Sequence, residues 1–382
     1  MEYNIYDLMD EFADENIALS PCGTADLRRI EELTMKKIEK QTPARRTKRT
    51  VRRVTRTVLV AAIVAALCGV TVVAAKLGVA DSFKGYFGDL TAEQKQVMEE
   101  LGTTDMQPVT SNGTTITPLA AICDENNYYL RLRIEAPEGT ELNLPKEDEG
   151  YLQLWNPETA GDFFARDDYD YDGCSFDCTW SDAVPGDNVL EVVMQIAGQS
   201  CDTRTKTYLE NLLGRDYTVM SFTDGRPKQL NIHGIWMQTN NQDLPYEIVL
   251  EGDWSFEIGL NAKAAPTVYV DASGRTTESV WSEPGYPLTL EYFRISPLSV
   301  VGEYSYPYDE RIAEGSCDGY GVTNFALVMK DGSTLELGTG GGGTTGWDFA
   351  SLNCRFDAPI DVTQVDHIVF GDQIIPVPQT AE

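Results

Sequence analysis

The sequence predicts a chain that is mainly β outside a membrane: two tandem β-sandwich-like domains, one transmembrane α-helix and a short helical cytoplasmic arm. Three observations lead there. Nineteen consecutive residues, Thr57 to Ala75, carry no charge; at ~1.5 Å per residue they reach about 28 Å, roughly one bilayer core. Seven of the twelve residues from Arg45 to Arg56 are basic, the character that holds a flank on the cytoplasmic side. Beyond the span, short runs of β-branched and aromatic residues alternate with turn signals over roughly 300 residues, more than one sandwich needs.

The apolar run is too long, and too free of a polar stripe, for a core helix. A cleaved signal peptide would begin with a short basic region, whereas 56 residues precede this run; the small Ala74 and Ala75 leave cleavage as the alternative. Within the span, Ala61, Ala65 and Gly69 recur every four residues, a spacing that lets two helices approach closely and leaves a homodimer open. Ten of the 60 acidic and 12 of the 30 basic residues precede Thr57, leaving 50 and 18 beyond it. Such an acidic exterior favours solubility and repels anionic ligands.

Residues 1–56 hold too few large apolar side chains to bury a core. They do contain two amphipathic stretches. Ile5, Leu8, Met9 and Phe12 follow helical spacing, with Asp7, Asp10, Glu11, Asp14 and Glu15 around the rest of that helix. Leu27, Ile30 and Ile38 form a second stripe with Thr34, flanked by Leu33 and Met35, and Ser20-Pro21-Cys22-Gly23 is the turn between the two. Helices this short need something to pack against. The stripes could cover each other, lie on the anionic inner leaflet, or dock into a groove on a partner protein. The five carboxylates of the first helix disfavour the leaflet, so a partner is the preferred reading. The basic run abuts the span, which makes it a topology and lipid-contact signal; nucleic acid is not the expected partner.

Residues 76–105 form a juxtamembrane helical segment. Thr91 and Gln94 have capping-box spacing, Val97, Met98 and Leu101 are apolar, and Gly102 stands at the C-cap. The first outer domain, 106–265, contains candidate strands Thr114–Cys123, Tyr128–Glu135, Val189–Ile196, Tyr217–Phe222, Gln229–Met237, Tyr246–Leu250 and Trp254–Leu260, with a helix over Asp202–Leu213 ended by Gly214. Asp124-Glu125-Asn126-Asn127 is the turn between the first two strands. The second, 266–382, contains Leu288–Ile295, Thr323–Met329, Thr334–Leu337 and His367–Phe370, with Lys330-Asp331-Gly332-Ser333 as a hairpin turn.

Catalytic signatures are missing from the sequence. His233 and His367 lie in strand patterns without a nucleophile motif, and no HExxH, GxSxG or CxxC spacing occurs. The glycine run Gly338–Gly346 lacks the Lys-Ser/Thr ending of a phosphate loop. An enzyme is therefore not expected, and neither is a cofactor. One motif resembles a calcium loop: Asp168, Asp170 and Asp172 alternate ahead of Gly173, but Thr179 stands where a bidentate Glu belongs, so a solvated acidic loop is the preferred reading. Six of the eight cysteines lie outside the span and arm. Cys174 with Cys178 or Cys201, and Cys317 with Cys354, are the simplest pairings, with free buried thiols as the alternative.

Several segments resemble those of membrane-anchored, anti-sigma-factor-like proteins of Gram-positive bacteria, whose outer part is a domain of unknown function. They are Arg29-Ile30-Glu31-Glu32-Leu33-Thr34-Met35-Lys36-Lys37-Ile38 ahead of the basic run, Ser111-Asn112-Gly113-Thr114-Thr115-Ile116-Thr117, Ala121-Ile122-Cys123-Asp124 with the following Tyr128–Ile134 strand, Gly252-Asp253-Trp254-Ser255-Phe256, and Ile295-Ser296-Pro297-Leu298-Ser299. The resemblance implies an arm that holds an extracytoplasmic-function sigma factor and an outer region that senses an unidentified ligand or signal. This arm lacks the His/Cys zinc cluster of better-known anti-sigma domains and is shorter. The rival reading is a surface-anchored ligand-binding or adhesion module with no sigma partner.

Overall fold

The structure, a computed structural model, describes residues 78–146, 149–154, 175–197, 229–239, 246–257, 266–278, 287–307, 324–337 and 348–378, together with 206, 207, 210, 211, 214, 216, 222 and 322. All of them belong to one compact unit, Val70–Glu382. The arm, the apolar run, the Asp168–Asp172 loop and the glycine run lie outside the described residues. No helix among the described residues is long and apolar enough to cross a membrane.

The described chain is mostly β. It opens with two single-turn helices, α1 (Val79–Ser82) and α2 (Lys84–Phe87), and then α3 (Ala92–Leu101). The expected capping box starts α3: Thr91 Oγ1 accepts from the Gln94 N–H at 3.2 Å and Gln94 Oε1 from the Thr91 N–H at 3.0 Å. Met98 and Leu101, one turn apart on its inner face, are buried.

Nine strands follow up to residue 257: β1 (Gly102–Thr103), β2 (Val109–Ser111), β3 (Thr114–Cys123), β4 (Asn127–Glu135), β5 (Gly150–Gln153), β6 (Ser175–Ser181), β7 (Val189–Ala197), β8 (Gln229–Thr239) and β9 (Tyr246–Glu257). The larger sheet runs β1-β3-β4-β7-β6, with β2 also on β3; the smaller runs β5-β8-β9. Their facing side chains share one core, in which Leu130, Leu132 and Met194 of the large sheet meet Leu230, Ile232 and Trp254 of the small one. The two strands expected at 246–250 and 254–260 form the single strand β9 (Tyr246–Glu257). Gly252, between those two ranges, makes room for an aromatic ring, since a Cβ there would meet the Trp254 indole at 2.4 Å.

The remaining strands are β10 (Val268–Asp271), β11 (Thr276–Glu278), β12 (Pro287–Ile295), β13 (Ser299–Ser305), β14 (Phe325–Met329), β15 (Thr334–Glu336), β16 (Phe349–Arg355), β17 (Val365–Phe370) and β18 (Gln373–Pro376). One sheet has the order β10-β12-β13-β16 with β11 on β12, the other β15-β14-β17-β18. They enclose a second core around Phe293, Phe325, Tyr304 and Phe370, whose ring centroids lie 5.2 to 5.8 Å apart in the closest pairs. Among the described residues, no strand before Glu257 pairs with one after Val268.

Nine strands are not among those the sequence predicts: β1, β2, β5, β6, β10, β11, β13, β16 and β18. The expected strand at 217–222 lies outside the described residues except Phe222, which is buried. Of the expected helix at 202–213, residues 206, 207, 210 and 211 are described and helical, and the Gly214 N–H donates to the Glu210 carbonyl at 2.9 Å.

Candidate functional site

Among the described residues, a dense polar constellation lies where the β3–β4 turn meets the β12–β13 turn. Asp124 is fully buried. Its Oδ1 accepts from the backbone N–H groups of Asn126 (2.9 Å) and Asn127 (2.6 Å), an Asx turn within its own hairpin. Its Oδ2 accepts from Ser296 Oγ (2.5 Å) and Ser299 Oγ (2.8 Å), both on the second pair of sheets. Each carboxylate oxygen is thus satisfied by a different half of the molecule. A buried carboxylate is tolerated only when several donors replace its water, and here four do so at short range. Beside it, Glu125 receives both its contacts from one nitrogen of Arg294, at 3.0 and 3.1 Å. The Arg294 guanidinium also lies 5.9 Å from the Tyr292 ring centroid.

Under this polar layer lies a third apolar core. Val79, Ala80, Phe83, Met98 and Leu101 from the helical segment pack on the outer face of β3, β4 and β7 through Ala120, Ile122, Tyr129 and Val193. Leu298, at the tip of the β12–β13 turn, enters the same cluster and is 2% exposed. The second half braces that tip, because Phe356 and Ile360 donate their N–H groups to the Leu298 and Pro297 carbonyls at 3.0 and 2.9 Å. Burying one leucine in this way contributes ~1.5–3 kcal/mol.

Polar groups seal the rim. The Gln195 amide links two phenols, accepting from Tyr86 (3.3 Å) and donating to Tyr129 (2.8 Å). Tyr86 and Phe87 place their rings 5.8 and 5.3 Å from that of Tyr129. Burial raises the Tyr129 phenol far above its ordinary range, and the Tyr86 phenol also rises, chiefly from burial and then from Asp177. Arg131 joins the Ser82 carbonyl to Glu191. The helical segment, the large sheet and the second half therefore meet at one joint.

A second contact pairs two other segments. Trp254, buried on β9, donates its indole N–H to the Thr114 carbonyl at 3.0 Å, and the Asp253 N–H donates to Ser111 Oγ at 2.9 Å. The four outer segments that carry the resemblance thus meet in pairs: 111–117 with 252–256, and 121–124 with 295–299. Their roles in this structure are architectural.

The expected site residues lie elsewhere. Ile5, Leu8, Met9, Phe12, Leu27, Ile30, Leu33 and Ile38 of the arm are outside the described residues, as are Asp168, Asp170 and Asp172, and Ala61, Ala65 and Gly69. Among the described residues, no group of three His, Cys, Asp or Glu side chains could hold a metal ion. His233 pairs across strands with Asp253 at 2.7 Å, and His367 with its neighbour Asp366 at 2.8 Å. Cys178 carries a free thiol whose pKa burial pushes up; Cys174 and Cys201, of the expected pairings, lie outside the described residues. Cys123 and Cys354 are buried, Cys123 Sγ donating to the Phe222 carbonyl at 3.9 Å. A cleft beside Lys84 and Lys95 has a volume of about 30 Å³.

No protein-family model matches the chain, and no curated protein does. A solved structure, that of the conserved domain protein from Bacillus anthracis, is similar with 14% sequence identity over 70% of this chain and 75% of that one, at a TM-score of 0.40. A likeness that weak says nothing of what this chain does.

Proposed function

We propose that this chain is a single-pass membrane regulator, an anti-sigma factor with its N-terminus in the cytoplasm and two sandwich-like β-domains outside. In this reading the stripes formed by Ile5, Leu8, Met9 and Phe12, and by Leu27, Ile30, Leu33 and Ile38, cover an apolar groove on an extracytoplasmic-function sigma factor. The span Thr57–Ala75 crosses the bilayer, and the outer β-domains sense an envelope signal.

The observation that supports this reading is the joint. The helices that begin three residues after the apolar run are packed against both halves of the β-rich region through Phe83, Met98, Tyr129 and Leu298. A displacement of either half relative to the other is felt at these helices, because they share one close-packed core. A tether that only displayed a binding module would function equally well with a loose stem.

The test is co-purification. Full-length protein, extracted in detergent from its own host, should bring down a sigma factor, and replacing Leu8 and Phe12 with Asp should release it while the protein stays in the membrane fraction. Recovery of no sigma factor from the unaltered chain would overturn the reading.

A further inference from the structure

The outer face of the small sheet has a character of its own. Register places Tyr246, Gln238 and Tyr151 directly opposite one another across β9, β8 and β5, and Ile248, Trp236 and Gln153 in the adjacent row. Residues opposed in an antiparallel sheet share a face, and this face is turned away from the core that holds Leu152, Ile235 and Leu250. None of these six side chains is charged, although the exposed His233–Asp253 pair lies farther along the same face. Tyr151 and Ile248 are exposed, Tyr151 by 53%.

The rings are held in place. Trp236 donates its indole N–H to the His233 carbonyl three residues back, at 2.9 Å. The side chain folds back along its own strand, over Gly234, where a Cβ would meet the indole nitrogen at 2.9 Å. Glycine at that position leaves room for the indole to lie along its own strand. Tyr151 is tied by its hydroxyl to Gln238 Oε1 at 2.5 Å, and Gln153 Nε2 donates to the same oxygen at 2.8 Å. That leaves the Gln238 amide N–H groups as donors between the two tyrosines. Gln153 is 4% exposed and its Oε1 takes no hydrogen bond. Tyr151 and Tyr246 stand two strand spacings apart, ~9.5 Å.

We propose that this face binds a neutral polysaccharide chain, its sugar rings stacked on Tyr151, Trp236 and Tyr246 and its hydroxyls bonded by the Gln238 amide. Flat, immobilised aromatic rings match the C–H faces of pyranoses, and amides match hydroxyls that both donate and accept. The aromatic rings are spread across three strands, which suits an extended polymer rather than a small molecule. The acidic surroundings, Asp253 among them, repel anionic polymers. This inference does not depend on the sigma factor, because it concerns only the outer sheet.

The test is co-sedimentation of the detergent-solubilised full chain with microcrystalline cellulose and with chitin, beside polygalacturonate-coated beads. Retention on at least one neutral polymer is expected, weakened about tenfold or more by Tyr151→Ala and by Trp236→Ala. Tyr269→Ala, at an exposed tyrosine of β10, should leave retention unchanged, and near-ultraviolet circular dichroism should show all three variants folded. Tyr151→Ala replaces an exposed ring and keeps the test valid if Trp236→Ala misfolds. No retention on either neutral polymer, equal retention by the Tyr151 variant, or retention on polygalacturonate alone would overturn the proposal. So would a dimer dissociated by Tyr151→Ala in the absence of glycan, which would assign the face to a second copy of this chain.

Discussion

The two sheets of the first β-region face the same core and differ in what lies behind them. The large sheet is buried on both faces: Tyr128 and Leu130 point into one core while Ala120, Ile122 and Tyr129 enter another. The small sheet is buried on one, and β9 alternates accordingly, with Trp254 and Phe256 inside and Ser255 outside. A strand covered on both sides reads as a continuous apolar run, and one covered on a single side alternates. The difference separates two tasks. The large sheet binds the molecule together, and the small one presents a surface.

The comparison is broken most severely by removing the residue that fastens the small sheet to the β2–β3 hairpin. Trp254→Ala deletes a buried indole and its bond to the Thr114 carbonyl, and a loss of ~3–5 kcal/mol is expected. Chemical denaturation monitored by circular dichroism measures it. Asp124→Ala comes next. It strands two backbone N–H groups in a buried site and leaves Ser296 and Ser299 only each other, a loss of about 3 kcal/mol. A scanning calorimeter should then resolve separate transitions for the two halves, where the unaltered protein gives one.

Smaller effects sharpen the picture at its edges. Thr91→Ala removes the α3 cap and should cost about 1 kcal/mol, read as faster amide exchange in the first turn. Glu125→Gln weakens a partly exposed ion pair with Arg294, 3.0 Å apart, by ~1 kcal/mol or less, an effect that shrinks as salt is raised. Burial holds the phenols of Tyr128 and Tyr129 above their ordinary value. The stabilisation they provide is complete below a pH of about 10 and lost as pH rises past it toward the folded-state values. Their tyrosinate absorbance should therefore appear together with unfolding, after the exposed tyrosines have titrated.

Local pattern foretold the local structure well. The bounds of β3 match the apolar run 114–123, and α3 begins and ends where Thr91 and Gly102 place it. The sequence pattern splits β9 at residues 251–253, where the structure shows Gly252 making room for the Trp254 indole. β13 was missed because the short run Ser299–Ser305 carries Gly302 and a buried Glu303, neither typical of a core strand. The joint could not be read beforehand. The Asx turn of Asp124 is local, but the partners of its second oxygen lie 172 and 175 residues away. The aromatic face needed register, since Tyr151, Trp236 and Tyr246 are neighbours only once β5, β8 and β9 are aligned.

The central claim is that the helices following the apolar run are held jointly by both β-rich halves. Hydrogen exchange on the full chain, with and without Leu298→Ala, tests it most directly. The substitution lies in the second half, yet protection should fall across Ala92–Leu101. Loss of protection confined to residues 295–300, with Ala92–Leu101 unchanged, would contradict the account.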